Sequence, residues 1–229
     1  MEGITRLFRA MFAPAEAFEA ARLAPKMLLP ILLVTLVMTG VTGYYAWNVD
    51  RVAIIEKSLD QSSRASQIPE AQREQIVNVQ SKVMKYSMPG GTLVVTPIML
   101  LLMGLYFYLA AKISGSETTY AQATTIAVYS SGPSIIWAVV AFVIMFMGDF
   151  STTLFQDLVP SNLAYFMDAE SLGMKLFTAM RAIDFFSIWR LILMIIGFSV
   201  ISGSKMVKSA LIVLIPWALL TGIGLLFVG

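Results

Sequence analysis

Arg190 is the residue in this chain with the most chemistry to offer. It lies in Ser187-Ile-Trp-Arg-Leu-Ile-Leu193, inside an otherwise uncharged apolar stretch. A guanidinium stays ionised and presents five donors in a fixed fork that fits a carboxylate or a phosphate. In apolar surroundings such a charge is costly unless it pairs, faces a water-filled cavity or snorkels to the membrane surface. Asp149 and Asp184 fall on the same side of the expected bundle as Arg190, and an ion pair to either would reduce the burial cost. These three residues form a candidate intramembrane polar cluster. Two readings stay open: a structural pin or interfacial anchor, and a site for a ligand or lipid headgroup.

Elsewhere the chemistry is sparse. The sequence contains no His and no Cys. This excludes Ser-His-Asp triads, imidazole or thiolate metal sites, disulfides, cysteine nucleophiles and histidine switches. Phosphate-binding loops, dinucleotide fingerprints and metal-ligand spacings are missing too. No carboxylate occupies the middle of an apolar stretch, so a proton relay is not expected. The chain therefore reads as a non-enzyme with no cofactor and no metal.

The elements that must position Arg190 are five stretches, 27–47, 92–111, 124–147, 185–203 and 209–228, each near the roughly 20 residues that cross about 30 Å of hydrocarbon. Hydrophobic residues make up 58% of the chain and charged residues 13%, against about 45–50% and 25% in soluble domains. The expected fold is all-α: a polytopic integral membrane protein with five transmembrane helices and interfacial amphipathic helices. Residues 1–26 form an N-terminal segment and 27–229 a single membrane domain. The net charge of +2 gives no reason to expect nucleic acid as a partner.

Residues 3–23 read as an amphipathic helix on a membrane face, with Ile4, Leu7, Phe8, Met11 and Phe12 at helical spacing and Arg6 and Arg9 on other faces. Pro14 opens a second short helix that carries Phe18 and Leu23 towards the apolar side, and Pro25 ends it. This segment either orients the first span or docks lipid or a partner. With 26 residues before a 21-residue apolar run, it is not expected to be a cleavable signal.

The polar segment 48–88 reads as an extramembrane helical loop. One helix lies around Ile54, Ile55 and Leu59 and another around Ile76, Val79 and Val83, with a break at 62–66. Segment 149–182 is mixed. Asp149, Asp157, Asp168 and Glu170 interrupt any span, and 172–182 can form a second interfacial helix.

Glu117, Tyr120, Tyr129 and Pro133 are candidate turn and helix-break residues. Between the second and third spans, Gly115 permits a tight reversal and Ser116 or Thr118 can cap the next helix. Glu117 then sits near that helix's positive end. Gly132-Pro133 is expected to kink the third span, with Pro97 and Pro216 as further break points in the second and fifth. Ser199/Gly203 and Ala218/Gly222 are spaced for close helix packing. Tyr106, Tyr108, Trp137 and Trp217 need no explanation beyond lipid.

The short segments 1–26, 112–123 and 204–208 are dense in Arg and Lys, which places the N-terminus inside and the C-terminus outside. Three groups of residues, in order, resemble the bacterial branch of the Yip family of Ypt/Rab-GTPase-interacting membrane proteins. They are Phe12-Ala-Pro-Ala-Glu-Ala-Phe18 with Pro30, then Glu117-Thr-Thr-Tyr-Ala-Gln122 with Val128-Tyr-Ser-Ser-Gly-Pro133, then Asp184-Phe-Phe-Ser-Ile-Trp189 with Gly197 and Ser204-Lys205. The resemblance implies a five-helix membrane domain with a cytosolic N-terminus, in a bacterial inner membrane. Eukaryotic members act in vesicle traffic and bind Rab GTPases and one another. The sequence before the first span lacks their Asp-Leu-Tyr-Gly-Pro signature and long N-terminal region, so Rab-type GTPase binding is not carried over. The partners that remain are the lipid bilayer, other membrane proteins and a second copy in a homo-oligomer. Two functions stay open: a protein that organises membrane or partners, and a small transporter, channel or lipid-moving protein.

Overall fold

A computed structural model describes residues 1–60, 68–167 and 173–225. The break expected at 62–66, the carboxylates Asp168 and Glu170, and the last residues of the fifth span lie outside the described residues. The helices are α1 (Glu2–Phe12), α2 (Pro14–Leu23), α3 (Leu28–Asn48), α4 (Arg51–Asp60), α5 (Glu70–Ile113), α6 (Tyr120–Tyr129), α7 (Gly132–Met147), α8 (Met174–Ala182), α9 (Phe185–Ser202) and α10 (Met206–Leu225). Five helical units are long and apolar enough to cross a membrane: α3, α5, α6 with α7, α9 and α10. The fold is an all-helical membrane bundle.

The second apolar stretch, 92–111, does not form a helix of its own. It is the distal part of α5, whose 44 residues run without interruption from Glu70, about 66 Å at 1.5 Å per residue. That is more than twice the hydrocarbon thickness, so the helix expected around residues 76–83 is a stalk continuous with the span. Pro89 and Pro97 lie within it. Tertiary contact holds the helix through Pro89. A Cβ added at Gly43 of α3 would lie 3.6 Å from the Pro89 ring, and α4 buries Ile54 where the stalk buries Val77.

The third span is interrupted for two residues, Ser130 and Ser131, whose backbone stays in the right-handed helical region. α6 ends at Tyr129 and α7 restarts at Gly132. Pro133 falls in the first turn of α7, where its missing N–H removes no helical bond, and the Ser131 hydroxyl donates to the Val128 carbonyl at 2.5 Å.

α1 and α2 form a hairpin that is part of the bundle core. Leu7, Ala10, Ala17, Phe18 and Ala21 are fully buried, while Phe8, Phe12 and Leu23 are exposed. The hairpin packs against α3, α6, α7 and α9. Phe18 lies over Gly197 of α9, where an added Cβ would meet the ring at 2.7 Å. Arg6 is not simply a solvated flank. Its guanidinium donates to the carbonyls of Ala20 (2.9 Å) and Ala24 (2.5 Å), placing a cation at the negative end of α2.

The core has two parts. One joins the hairpin to the near halves of α3, α5, α6, α9 and α10. The other joins the far ends of α3 and α7 to α4 and the segment around Phe150–Val159. There Tyr45 is fully buried and donates to the Thr153 carbonyl at 2.7 Å. Val37 and Met38 of α3 pack against both parts, and the spans differ in how much of them the bundle covers. Over its most apolar 18 residues α10 has 11% of its positions buried and α5 17%, against 39% for α3 and 44% for the α6–α7 span.

Candidate functional site

The start of α9 determines where Arg190 sits. The backbones around Asn162 and Asp184 pair antiparallel, with Leu163 N–H donating to Ile183 (3.1 Å) and Phe185 N–H to Ser161 (2.9 Å). Asp184 is the N-cap of α9. It accepts from the Ser187 amide at 2.9 Å and from the Ser161 hydroxyl. Arg190 lies five residues into α9, roughly 8 Å along the axis, and shares a face with Ser187 and Met194 at i−3 and i+4.

Neither carboxylate pairs with it. Asp149 is exposed at the end of α7, where its carboxylate accepts from the Ser151 amide at 2.9 Å. That bond holds its pKa below the usual carboxylate range. Asp184 has both oxygens occupied by its own contacts. Among the described residues no ion pair reaches Arg190, and its Nε is buried with no hydrogen-bond partner. The expected three-residue cluster is therefore not assembled.

Arg190 instead lines two cavities. The first, about 460 Å³, is an apolar cleft between α5 and α10 with α9 as its floor, bounded by Met99, Met103, Tyr106, Met194, Pro216 and Trp217 among others. The second, about 520 Å³, is more polar and lies towards α8, with Ser134, Gln156, Asn162, Thr178, Arg181 and Asp184 on its wall. Ser187 and Arg190 line both. Arg181 is neutralised by Asp157, with Nε 3.1 Å from Oδ1 and Nη2 donating to Oδ2 at 3.2 Å. Burial nevertheless holds the Asp157 carboxyl above its usual range, outweighing the pull of Arg181 and Lys57.

The rim of the cleft contains a bond that the sequence reading did not anticipate. Pro216 has no N–H, so the Ile212 carbonyl one turn earlier has no helical donor. The Tyr106 hydroxyl of α5 donates to that carbonyl at 2.6 Å and ties α5 to α10. The clue in the sequence was a Pro inside one span together with Tyr residues on another.

The turn residues have structural roles. The cap of α6 is Thr119, not Ser116 or Thr118, and it forms a reciprocal capping box with Gln122. Thr118 is buried and donates to the Ile201 carbonyl at 3.4 Å. Glu117 is exposed and makes no hydrogen bond or ion pair among the described residues. The Tyr120 hydroxyl donates to Leu101 at 3.0 Å. Tyr129 is fully buried beside Phe18 and donates to the Lys26 carbonyl at 3.0 Å, fastening the hairpin to the head of α3.

These features define a polytopic helical membrane protein with a buried N-terminal hairpin and one unpaired cation facing a lipid-accessible cleft. The family model of the Yip1 domain matches residues 8–228, and the chain belongs to that family. No curated protein and no solved structure gave a significant match.

Proposed function

We propose that this protein is a non-catalytic organiser of the membrane around it, acting through faces that its own fold leaves uncovered. The observation that carries this reading is the low burial of α5 and α10. Their exposed Leu102, Leu105, Leu109, Leu211, Ile215 and Leu219 have to be covered by lipid, by a second copy or by another membrane protein. Reconstitution into liposomes tests it. The expected result is self-association or altered lipid order that depends on protein density. Protein that neither associates nor changes lipid order would overturn the proposal.

The membrane we propose is the bacterial cytoplasmic membrane, with the hairpin on the cytoplasmic side. Contacts at the hairpin end support this orientation. The Gln122 side-chain amide donates to the Arg22 carbonyl (2.6 Å) and Thr118 reaches Ile201, so the Arg22–Lys26, Lys112 and Lys205 segments gather at one end of the bundle.

A second reading is favoured by a specific observation. Arg190 lies between an apolar cleft and a more polar cavity, an arrangement suited to moving lipid between environments. A scrambling assay comparing wild type with Arg190→Leu tests it. Equal rates in the two would exclude a role for Arg190.

A further inference from the structure

We infer that the α5–α9–α10 cleft is a binding site for one acidic phospholipid, with an acyl chain between α5 and α10 and the phosphate on Arg190. The inference rests on the cleft behind the second reading above and names its occupant, but it does not require transport.

Charge complementarity comes first. Of the two cations at the cavities, Arg181 is neutralised by Asp157, whereas Arg190 has no carboxylate partner among the described residues and a buried, unpartnered Nε. Asp184 lines the second cavity, where it accepts from the Ser187 amide and the Ser161 hydroxyl and makes no ion pair with Arg190. Arg190 is therefore the cation at this junction without an ion pair among the described residues, and a guanidinium fork matches phosphate oxygens. The Ser187 hydroxyl, one turn earlier on the same face, lines the same junction.

Shape and access agree. The cleft lies between the two least buried spans, where acyl chains are the surrounding solvent. Its volume of about 460 Å³ suits a flexible chain and falls within the roughly 300–1,000 Å³ of small-molecule sites. The polar cavity shares Ser187 and Arg190 with the cleft and gives the rest of the headgroup a place among Gln156, Asn162 and Thr178. The cation thus stands between an apolar cleft and a cavity that adds polar side chains to its wall, the order of a lipid's chain, phosphate and headgroup.

Trp217 lines the cleft and can report occupancy. A variant that keeps Trp217 as its only Trp (Trp47→Phe, Trp137→Phe, Trp189→Phe) is placed in phosphatidylcholine nanodiscs. These contain a minority of chain-brominated phosphatidylglycerol or chain-brominated phosphatidylcholine. The expected result is quenching with about a tenfold preference for the acidic lipid, because both lipids offer a phosphate but only phosphatidylcholine brings a quaternary ammonium that repels Arg190, and loss of the preference in Arg190→Gln. Equal quenching by the two lipids in the variant that retains Arg190 overturns the inference without reference to the Gln variant or its folding. Relief of quenching by inorganic phosphate would show a site for a soluble anion and overturn the lipid assignment. Preferential quenching without scrambling would leave the site standing and exclude the lipid-moving reading.

Discussion

Removing the Tyr106 hydroxyl tests whether a proline-generated vacancy in one span is satisfied by a neighbouring span. Tyr106→Phe keeps the ring and deletes the bond to the Ile212 carbonyl, 2.6 Å long in the structure. A neutral hydrogen bond has a net value of about 0.5–1.5 kcal/mol, and interhelical bonds in membranes average about 0.6 and reach about 1.7. The expected loss is about 1 kcal/mol, a roughly fivefold shift in the unfolding equilibrium. The second arm of the cycle is Pro216→Ala, which returns an amide donor to the Ile212 carbonyl. In that background Tyr106→Phe should cost little, so the coupling energy should approach the single-mutant loss. Reversible unfolding in mixed micelles, followed by far-UV circular dichroism, supplies all four free energies. Equal cost of Tyr106→Phe in both backgrounds would refute the account, because the hydroxyl would then be stabilising something other than the vacancy left by Pro216.

Further outcomes follow from the same contacts. Gly197→Val should displace Phe18, whose ring lies 2.7 Å from where a Cβ would sit, and increase protease access to residues 1–26; pairing it with Phe18→Leu should restore part of the protection. Gly104→Val should disrupt α5–α6 packing, since its Cβ would fall 2.8 Å from the Thr124 Cα, a backbone atom that cannot move alone; the check is a loss of several kcal/mol in the same unfolding assay. Because Asp157 titrates above its usual range when folded, its contribution is full below the unfolded pKa and is lost as pH rises through the folded one. The stability of Asp157→Asn relative to wild type should therefore rise with pH across that interval, and a falling difference would contradict the sign.

The five spans and their order were readable from the sequence because hydrophobic run length depends on the bilayer alone. The finer structure depended on contacts between distant residues. Pro89 and Gly90-Gly91 look like a boundary, yet α5 passes through them where α3 and α4 pack alongside it. The hairpin's helical period was visible, but the burial of Phe18 depends on Gly197, which lies far along the chain. The α6 cap was available in the local sequence: Thr119-Tyr-Ala-Gln122 fits the S/T-x-x-E/Q capping box, whereas neither Ser116 nor Thr118 has Glu or Gln three residues later. Arg190 was found because a charge inside an apolar run is conspicuous. Its lack of a partner was not foreseeable, since Asp184 is close in sequence and only the structure reveals that its carboxylate caps α9 and bonds to Ser161 instead.

That missing partner makes the two original readings of Arg190 separable by the sign of one measurement. A structural pin contributes stability through its bonds, so Arg190→Leu would lower stability wherever it is measured. A ligand site carries an uncompensated charge when empty, and replacing that charge with an apolar side chain removes a desolvation penalty. In a neutral detergent free of acidic lipid, Arg190→Leu should therefore unfold at the same or a higher temperature than wild type. Adding phosphatidylglycerol should then raise the wild-type midpoint by mass action, following RT ln(1 + [L]/Kd), and leave Arg190→Leu unmoved. Both halves are needed, because general acidic-lipid effects would shift the two proteins together. A variant destabilised in neutral detergent, or one that gains as much from phosphatidylglycerol as wild type does, would assign Arg190 to the scaffold and leave the cleft without its anion-binding group.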